Sequence, residues 1–229
     1  MKRGKKLTGI AAFLAAVGLV FASCGDGGGG GGGHSHNWGW ASYITGSGLR
    51  ECQTGGCTAK AGVGDTGPEG GKIIYAAASG FTVTGAGSFT ACYIEAAPTN
   101  QGTSLAWASE SFTSTGINGT ESSIGTGKEN TRLILAKDAN APAAKAAKVT
   151  IGGKSDWFLP SSAELTQMYK AKTHLGISSG VFWSSTQAAS SNALCSDFGP
   201  NFIAEGPVLK GLVTYLERGG INVRAVRYF

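Results

Sequence analysis

Trp157-Phe158-Leu159-Pro160-Ser161-Ser162-Ala163-Glu164-Leu165 is the stretch on which the reading of the fold turns. A short aromatic and aliphatic run meets a proline, and a helix start follows directly. Ser161 can accept a hydrogen bond from the amide three residues on, while the Glu164 carboxylate reaches back to the Ser161 amide; this is the reciprocal pair of a capping box. Leu165, Met168 and Tyr169 then fall at i, i+3 and i+4, so one stripe of the helix faces a core. Gly176 suits the end of that helix, and His174 just before it complements the negative end of the dipole. His174 therefore reads as a surface residue near a helix terminus, not as a catalyst.

Upstream, Glu129–Lys137 and Pro142–Lys148 have helix-forming composition, with Pro142 acceptable in a first turn. Strands are expected at Lys72–Ala76 and Ala91–Ala96, with long Gly-, Ser- and Thr-rich loops over residues 98–126. Downstream, short strands are expected at Val181–Ser185, Ala193–Phe198, Leu212–Leu216 and Asn222–Tyr228. The fold class is α+β, built from short antiparallel strands, two or three helices and long loops. Gly62-Val63-Gly64-Asp65-Thr66-Gly67 matches the glycine pattern of dinucleotide sites, but no strand precedes it and Pro68-Glu69-Gly70-Gly71 follows where a helix would have to open. It reads as a turn leading into the strand at Lys72.

The 229 residues begin with Lys2, Arg3, Lys5 and Lys6 ahead of an apolar run from Leu7 to Phe21. That run is shorter than the roughly 20 residues a bilayer span requires and has the layout of a secretion signal, assigned to residues 1–23. Four of the 19 basic residues lie there and none of the 14 acidic ones, so the remainder is close to neutral and its charge gives no reason to expect nucleic acid as a partner. Low charge (14%) and abundant small residues exclude a multispan membrane protein and a coiled coil. Phe21-Ala22-Ser23-Cys24 resembles the lipobox of bacterial lipoproteins. The resemblance implies a diacylglycerol on the Cys24 thiol and an acylated new amino terminus, and several acyl chains hold a protein on a membrane where one would not. Residues 24–33, with glycine throughout Gly27–Gly33, form a flexible tether. The expected location is the cell envelope, at the outer membrane or cell surface.

Residues 34–61 carry His34, His36, Trp38, Trp40, Tyr43, Cys52 and Cys57 as a small separate segment, and resemble a short His/Trp/Cys module of bacterial surface proteins. Two histidines and two cysteines can in principle make a tetrahedral zinc site. The Cys-x4-Cys spacing is loose for a closed site, and an exported chain meets oxidising conditions, so a Cys52–Cys57 disulfide is the expectation and no metal is assigned. Trp38 and Trp40 read as packing anchors.

Gly64-Asp65-Thr66-Gly67-Pro68 running into Gly71-Lys72-Ile73-Ile74-Tyr75 is the first of five ordered blocks. The others are Tyr93-Ile94-Glu95-Ala96-Ala97-Pro98, Trp157-Phe158-Leu159-Pro160-Ser161, Phe182-Trp183-Ser184-Ser185-Thr186 and Val223-Arg224-Ala225-Val226-Arg227. Residues 62–229 thereby resemble a bacterial surface-lipoprotein family grouped with the C-terminal domain of a collagen-like adhesin. The resemblance implies a C-type-lectin-like fold, related to the formylglycine-generating enzymes and to binding domains diversified by retroelements. Phe158 stands where that family has an arginine.

Within this frame Tyr93, Trp157, Trp183 and Phe229 are expected in the core, and Arg224 and Arg227 are expected to pair or to cap buried carbonyls. Ligand contacts are expected from loops between Thr186 and Asn222, at Asn192, Leu194, Asp197, Asn201, Phe202, Glu205 and Tyr215, where hydrogen-bonding groups alternate with apolar anchors. Cys92 and Cys195 are the remaining pair; a disulfide there would close a loop of over a hundred residues and contribute about 4–5 kcal/mol. Four cysteines allow three pairings, which sequence alone leaves open.

Catalytic patterns are thin. His174 is the one histidine in residues 62–229, there is no H-E-x-x-H or phosphate-binding loop, and the cysteines match no formylglycine-generating pattern. Glu95 and Asp156 are the carboxylates that could pair for glycoside chemistry. The expected function is non-enzymatic and free of cofactors: a surface lipoprotein recognising an extracellular protein or glycan through its C-terminal loops. The alternatives are a structural envelope lipoprotein and an enzyme related to the sulfatase-modifying proteins. An exposed apolar patch within Thr186–Asn222 would favour a partner interface over inert coating.

Overall fold

The computed structural model describes residues 35–199, 203–215 and 219–229, with backbone alone at 203–205; the signal segment, Cys24, the glycine tether, His34, Asn201 and Phe202 lie outside these residues. The capping box is formed. Ser161 Oγ accepts from the Glu164 amide at 3.3 Å, and Glu164 Oε2 accepts from the Ser161 amide at 2.8 Å. Helix α3 (Ser162–Lys170) starts there and buries Leu165 and Met168. Glu164 is fully buried, and its other oxygen accepts from the Gly125 amide (2.8 Å) and the Tyr228 hydroxyl. Burial raises its pKa even though these donors pull the other way. The cap thus fixes the helix start, the 121–127 loop and the C-terminal strand to one carboxyl group.

The architecture is mixed helix and sheet. Strands β1 (Lys72–Val83) and β2 (Phe89–Ala96) form an antiparallel hairpin. Farther along come α1 (Gly127–Lys137), α2 (Pro142–Ala147), α3, then β3 (Val181–Ala189), β4 (Asn192–Asp197), β5 (Ile203–Leu209), β6 (Ile221–Asn222) and β7 (Val226–Tyr228). One sheet has the order β1-β2-β7, the other β5-β4-β3-β6. No helix among the described residues is long and apolar enough to cross a membrane.

The first sheet is covered on both faces, which accounts for apolar runs such as Ile73-Ile74 and Tyr93-Ile94 that do not alternate with polar residues. Ile74, Ile94 and Tyr228 pack with Phe158, Leu165, Met168 and Phe182, while Ile73, Cys92, Tyr93 and Phe229 pack with Trp38 and Cys52. A third cluster gathers Trp107, Trp157, Trp183 and the alanines of α2 around the second sheet. Tyr93, Trp157, Trp183 and Phe229 are core aromatics as expected. Phe158 is also core, its ring 4.4 Å from that of Tyr228.

Several boundaries depart from the sequence reading. Strand β1 runs on to Val83 because β2 continues to offer it pairing partners past two register shifts. Helix α3 stops at Lys170 and the chain turns through to Gly176, whose φ is 66°. The expected 186–222 loops are largely a meander of β3, β4 and β5, and in place of the strand expected at Leu212–Leu216 the described residues 212–215 show an isolated bridge from Thr214 to Gly220. The 222–228 strand is divided into β6 and β7, which join different sheets. Finally, residues 36–61 belong to the same unit as the rest, His36–Phe229, because their rings complete the outer face of the first sheet.

Candidate binding surface and a histidine–cysteine cluster

Strand β5 is an edge of the second sheet, hydrogen-bonded to β4 on one side alone, a position that tolerates Pro207. Beyond it Leu209, Leu212 and Val213 are exposed at 53%, 41% and 42%, three of the five large hydrophobics exposed among the described residues. They share one turn, in which the Leu212 amide donates to the Leu209 carbonyl at 3.0 Å.

Lys210 lies beneath that turn with no exposed surface. Its ammonium donates to Gln187 Oε1 (2.6 Å) and to the carbonyls of Thr115 and Ser190 (2.8 Å each), and sits 4.8 Å from the Trp107 ring centroid. Burial brings its pKa down to about 8. Its own backbone is pinned as well, the amide to Ser191 and the carbonyl to the Trp107 amide. Three acceptors satisfy the three donors of an ammonium, so the lysine acts as a peg that holds the apolar turn outward.

The ligand residues expected from sequence are placed unequally. Asn192 and Leu194 are half-buried on β4, Asn192 in register with Leu209 and Leu194 with Pro207. Asp197 is not available as expected: it ends β4 at 3% exposure, and its carboxylate accepts from the Gly199 amide at 2.8 Å. Tyr215 is half-buried against the core cluster of the second sheet. The backbone at Glu205 belongs to β5, while Asn201 and Phe202 fall outside the described residues. Leu209 ends a strand, β5, that the sequence did not suggest, and the expected strand at Leu212–Leu216 hides the exposure of Leu212 and Val213. The signal against that reading was Lys210-Gly211, a turn pair directly ahead of it.

Glu95 and Asp156 do not frame a gap. Arg227 joins them, with Nε 3.1 Å from Asp156 Oδ1 and a terminal nitrogen 3.6 Å from Glu95 Oε2. Glu95 is fully buried, and its Oε1 accepts from the Gly71 and Glu69 amides at 2.8 and 3.1 Å. Burial raises its pKa to about 7 against these donors and Arg227. A Cβ at Gly67 would sit 2.5 Å from the Glu95 carboxyl carbon, so this glycine is needed for the turn to close over the carboxylate. Arg224 caps the Pro98 carbonyl at 2.9 Å and bonds Asn100. His174 is exposed beside Gly64.

A cavity of about 260 Å³ lies between the tip of the β1–β2 hairpin and α1, with Val83, Phe89 and Phe158 on its floor and Lys128, Arg132 and Lys148 among its polar lining. None of the residues named from sequence as ligand contacts lines it.

The N-terminal segment folds back on itself. Arg50 donates to the carbonyls of Trp38 (2.5 Å) and Gly39 (2.8 Å), and the Gln53 amide donates to the Asn37 carbonyl at 2.7 Å. The 51–60 loop closes through the Glu51–Lys60 bridge and the Cys52 amide to the Ala59 carbonyl at 2.9 Å. These bonds carry His36 to the loop bearing Cys52 and Cys57, and one ligand atom from each of the three lies within 4.8 Å of the others. No disulfide forms among the described cysteines. Nor is Cys92 joined to Cys195: the first lies on β2 in the cluster beneath Trp38, the second on β4 in the cluster of the other sheet. Burial raises the Cys195 pKa to about 12, which keeps it an unreactive thiol.

No family model matches the chain, and no curated protein matches it.

Proposed function

We propose that this chain is a lipid-anchored envelope protein whose C-type-lectin-like domain binds an extracellular protein through the β5 edge and the turn that follows it. The observation that carries the proposal is the exposure of Leu209, Leu212 and Val213 on a turn held from beneath by Lys210. Aliphatic side chains make dry contacts suited to a protein surface, and a sheet edge adds main-chain hydrogen bonds. Asn192 and Leu194 border the surface and Tyr215 flanks it; Cys24 supplies the anchor. A binding role is supported further by the carboxylates offered for acid–base work, since Glu95 and Asp156 are both engaged by Arg227.

The test uses the full mature lipoprotein in liposomes, presented with extracellular-matrix proteins and with a glycan array. Saturable protein binding that falls at least about tenfold in the Leu212→Asp, Val213→Asp double variant, whose fold is kept, is the expected result. Binding confined to glycans, or equal in the double variant, refutes it.

The cavity beside α1 favours a second reading, a small anionic ligand held by Lys128 and Lys148, with Arg132 of the same lining paired to Glu129. Thermal stabilisation by acidic sugars, abolished in Lys128→Gln, would select that reading.

A further inference from the structure

From the His36, Cys52 and Cys57 cluster we infer a zinc site that clasps the start of the folded domain to the 51–60 loop. Two thiols and an imidazole are donor types that zinc prefers, and three of them with one position left over make an open tetrahedral set. Their ligand atoms lie within 4.8 Å of one another, and His36 Nδ1 is 3.6 Å from Cys57 Sγ, separations that a small inward movement brings to a shared ion. Sulfur and nitrogen ligands about 2.0–2.3 Å from one zinc stand some 3.3–3.8 Å apart in a tetrahedron.

The surroundings favour a cation over an S–S bond. The Thr54 amide donates to Cys52 Sγ at 3.4 Å, and an N–H aimed at sulfur stabilises a thiolate. The Cys57 amide donates to the Thr54 carbonyl at 3.0 Å, so the chain between the cysteines makes a tight turn that returns the second sulfur toward the first. His36 is stacked on Trp38, ring centroids 4.8 Å apart, which fixes the imidazole plane from one side. Trp38 is itself 8% exposed and anchored in the core, so the ligand is oriented by a buried residue. Cys52 is buried and Cys57 half-buried, leaving one flank open to an incoming ion.

Binding replaces two thiol protons, released to solvent, with one divalent cation, and leaves a further coordination position for water or another donor. The site has a mechanical consequence. His36 follows three residues after the glycine run, so the clasp secures the chain where the tether meets the fold.

The experiment takes the full mature chain, stripped of metal by chelation under reductant, and titrates Zn²⁺ against a chromophoric chelator. One equivalent is expected to bind. Cys52→Ser and Cys57→Ser are each expected to weaken it by more than the roughly 100-fold that loss of a ligand-orienting hydrogen bond costs. Cys195→Ser, on β4 in the core cluster of the other sheet, is expected to bind as the parent does. Because a variant can fail to fold, Co²⁺ is added to the unaltered chain as well: thiolate-to-cobalt charge transfer with tetrahedral d–d absorption supports the site without any substitution. Failure to bind a stoichiometric ion, octahedral cobalt without charge transfer, or metal-free protein from the envelope carrying a Cys52–Cys57 disulfide overturns it. Loss of partner binding in the liposome assay with zinc binding intact would count against the proposed function alone.

Discussion

Residues 36–61 cover one face of the first sheet with Trp38, Trp40 and Tyr43 packed against Tyr93 and Phe229, whereas residues 209–213 stand at the edge of the second sheet with Leu209, Leu212 and Val213 exposed. The first region conceals rings and gathers polar ligands in a loop. The second conceals a lysine and displays aliphatic groups. In both, the buried polar group fixes a local shape, and the surface left over differs accordingly. A domain that spends its aromatic residues on internal packing has aliphatic groups left for display, and the proposed function takes that inversion as its ground for a protein partner over a sugar.

The comparison breaks most visibly at Lys210. Lys210→Met keeps the length of the side chain and its packing on Trp107 but removes the ammonium donor from the Thr115 and Ser190 carbonyls and leaves Gln187 Oε1 with the Ile117 amide. A loss of about 3–5 kcal/mol is expected in urea unfolding. A loss below about 1 kcal/mol would mean that the turn holds its shape unaided and that the peg is incidental.

The next effect belongs to the first sheet. Glu95 has a folded-state pKa near 7 against an ordinary 4.5, so between those values the folded protein binds more protons than the unfolded chain. Stability therefore falls as pH rises through this window, by up to about 3 kcal/mol, and is greatest on the acid side. Glu95→Gln retains an acceptor for the Gly71 and Glu69 amides and cannot ionise. Urea midpoints are expected to lie close at pH 5, where both side chains are neutral in the fold, and to separate at pH 8 with Glu95→Gln the more stable; parallel curves would show that Arg227 cancels the burial cost.

Ser161→Ala addresses the shared hub. It removes the acceptor for the Glu164 amide and the donor to the Ser123 carbonyl, whose bond is 2.8 Å, with an expected cost of about 1–2 kcal/mol in the same assay. This hub is also where the sequence was most legible. A cap is a local device, written in four consecutive residues, and it formed as read. The starts of β1 and α2 and the core aromatics were legible for the same reason: periodicity and proline placement act within a few residues. The extension of β1 to Val83 and the whole of β5 were not, because both depend on partners distant in the chain or unpromising in composition, such as the run Glu205-Gly206-Pro207. The His36, Cys52 and Cys57 cluster was visible as residue types but not as a site. Its assembly rests on Arg50 and Gln53 gripping the backbone of residues 37–39, contacts that no spacing rule encodes.

The smallest expected change in stability accompanies the largest expected change in binding, and that separation is what the comparison finally rests on. In the Leu212→Asp, Val213→Asp variant the altered side chains are 41% and 42% exposed, and the turn's own hydrogen bonds run through backbone and through Lys210. Unfolding free energy should therefore move by no more than about 0.5 kcal/mol per position. Two carboxylates on a dry contact surface would each have to be desolvated or left unpaired on association, so affinity for the protein partner collapses while the urea midpoint stays in place. A variant that unfolds instead would mean that the displayed residues are part of the core after all. If it folded and bound normally, the β5 edge would have no claim to recognition, and the cavity beside α1 would take its place.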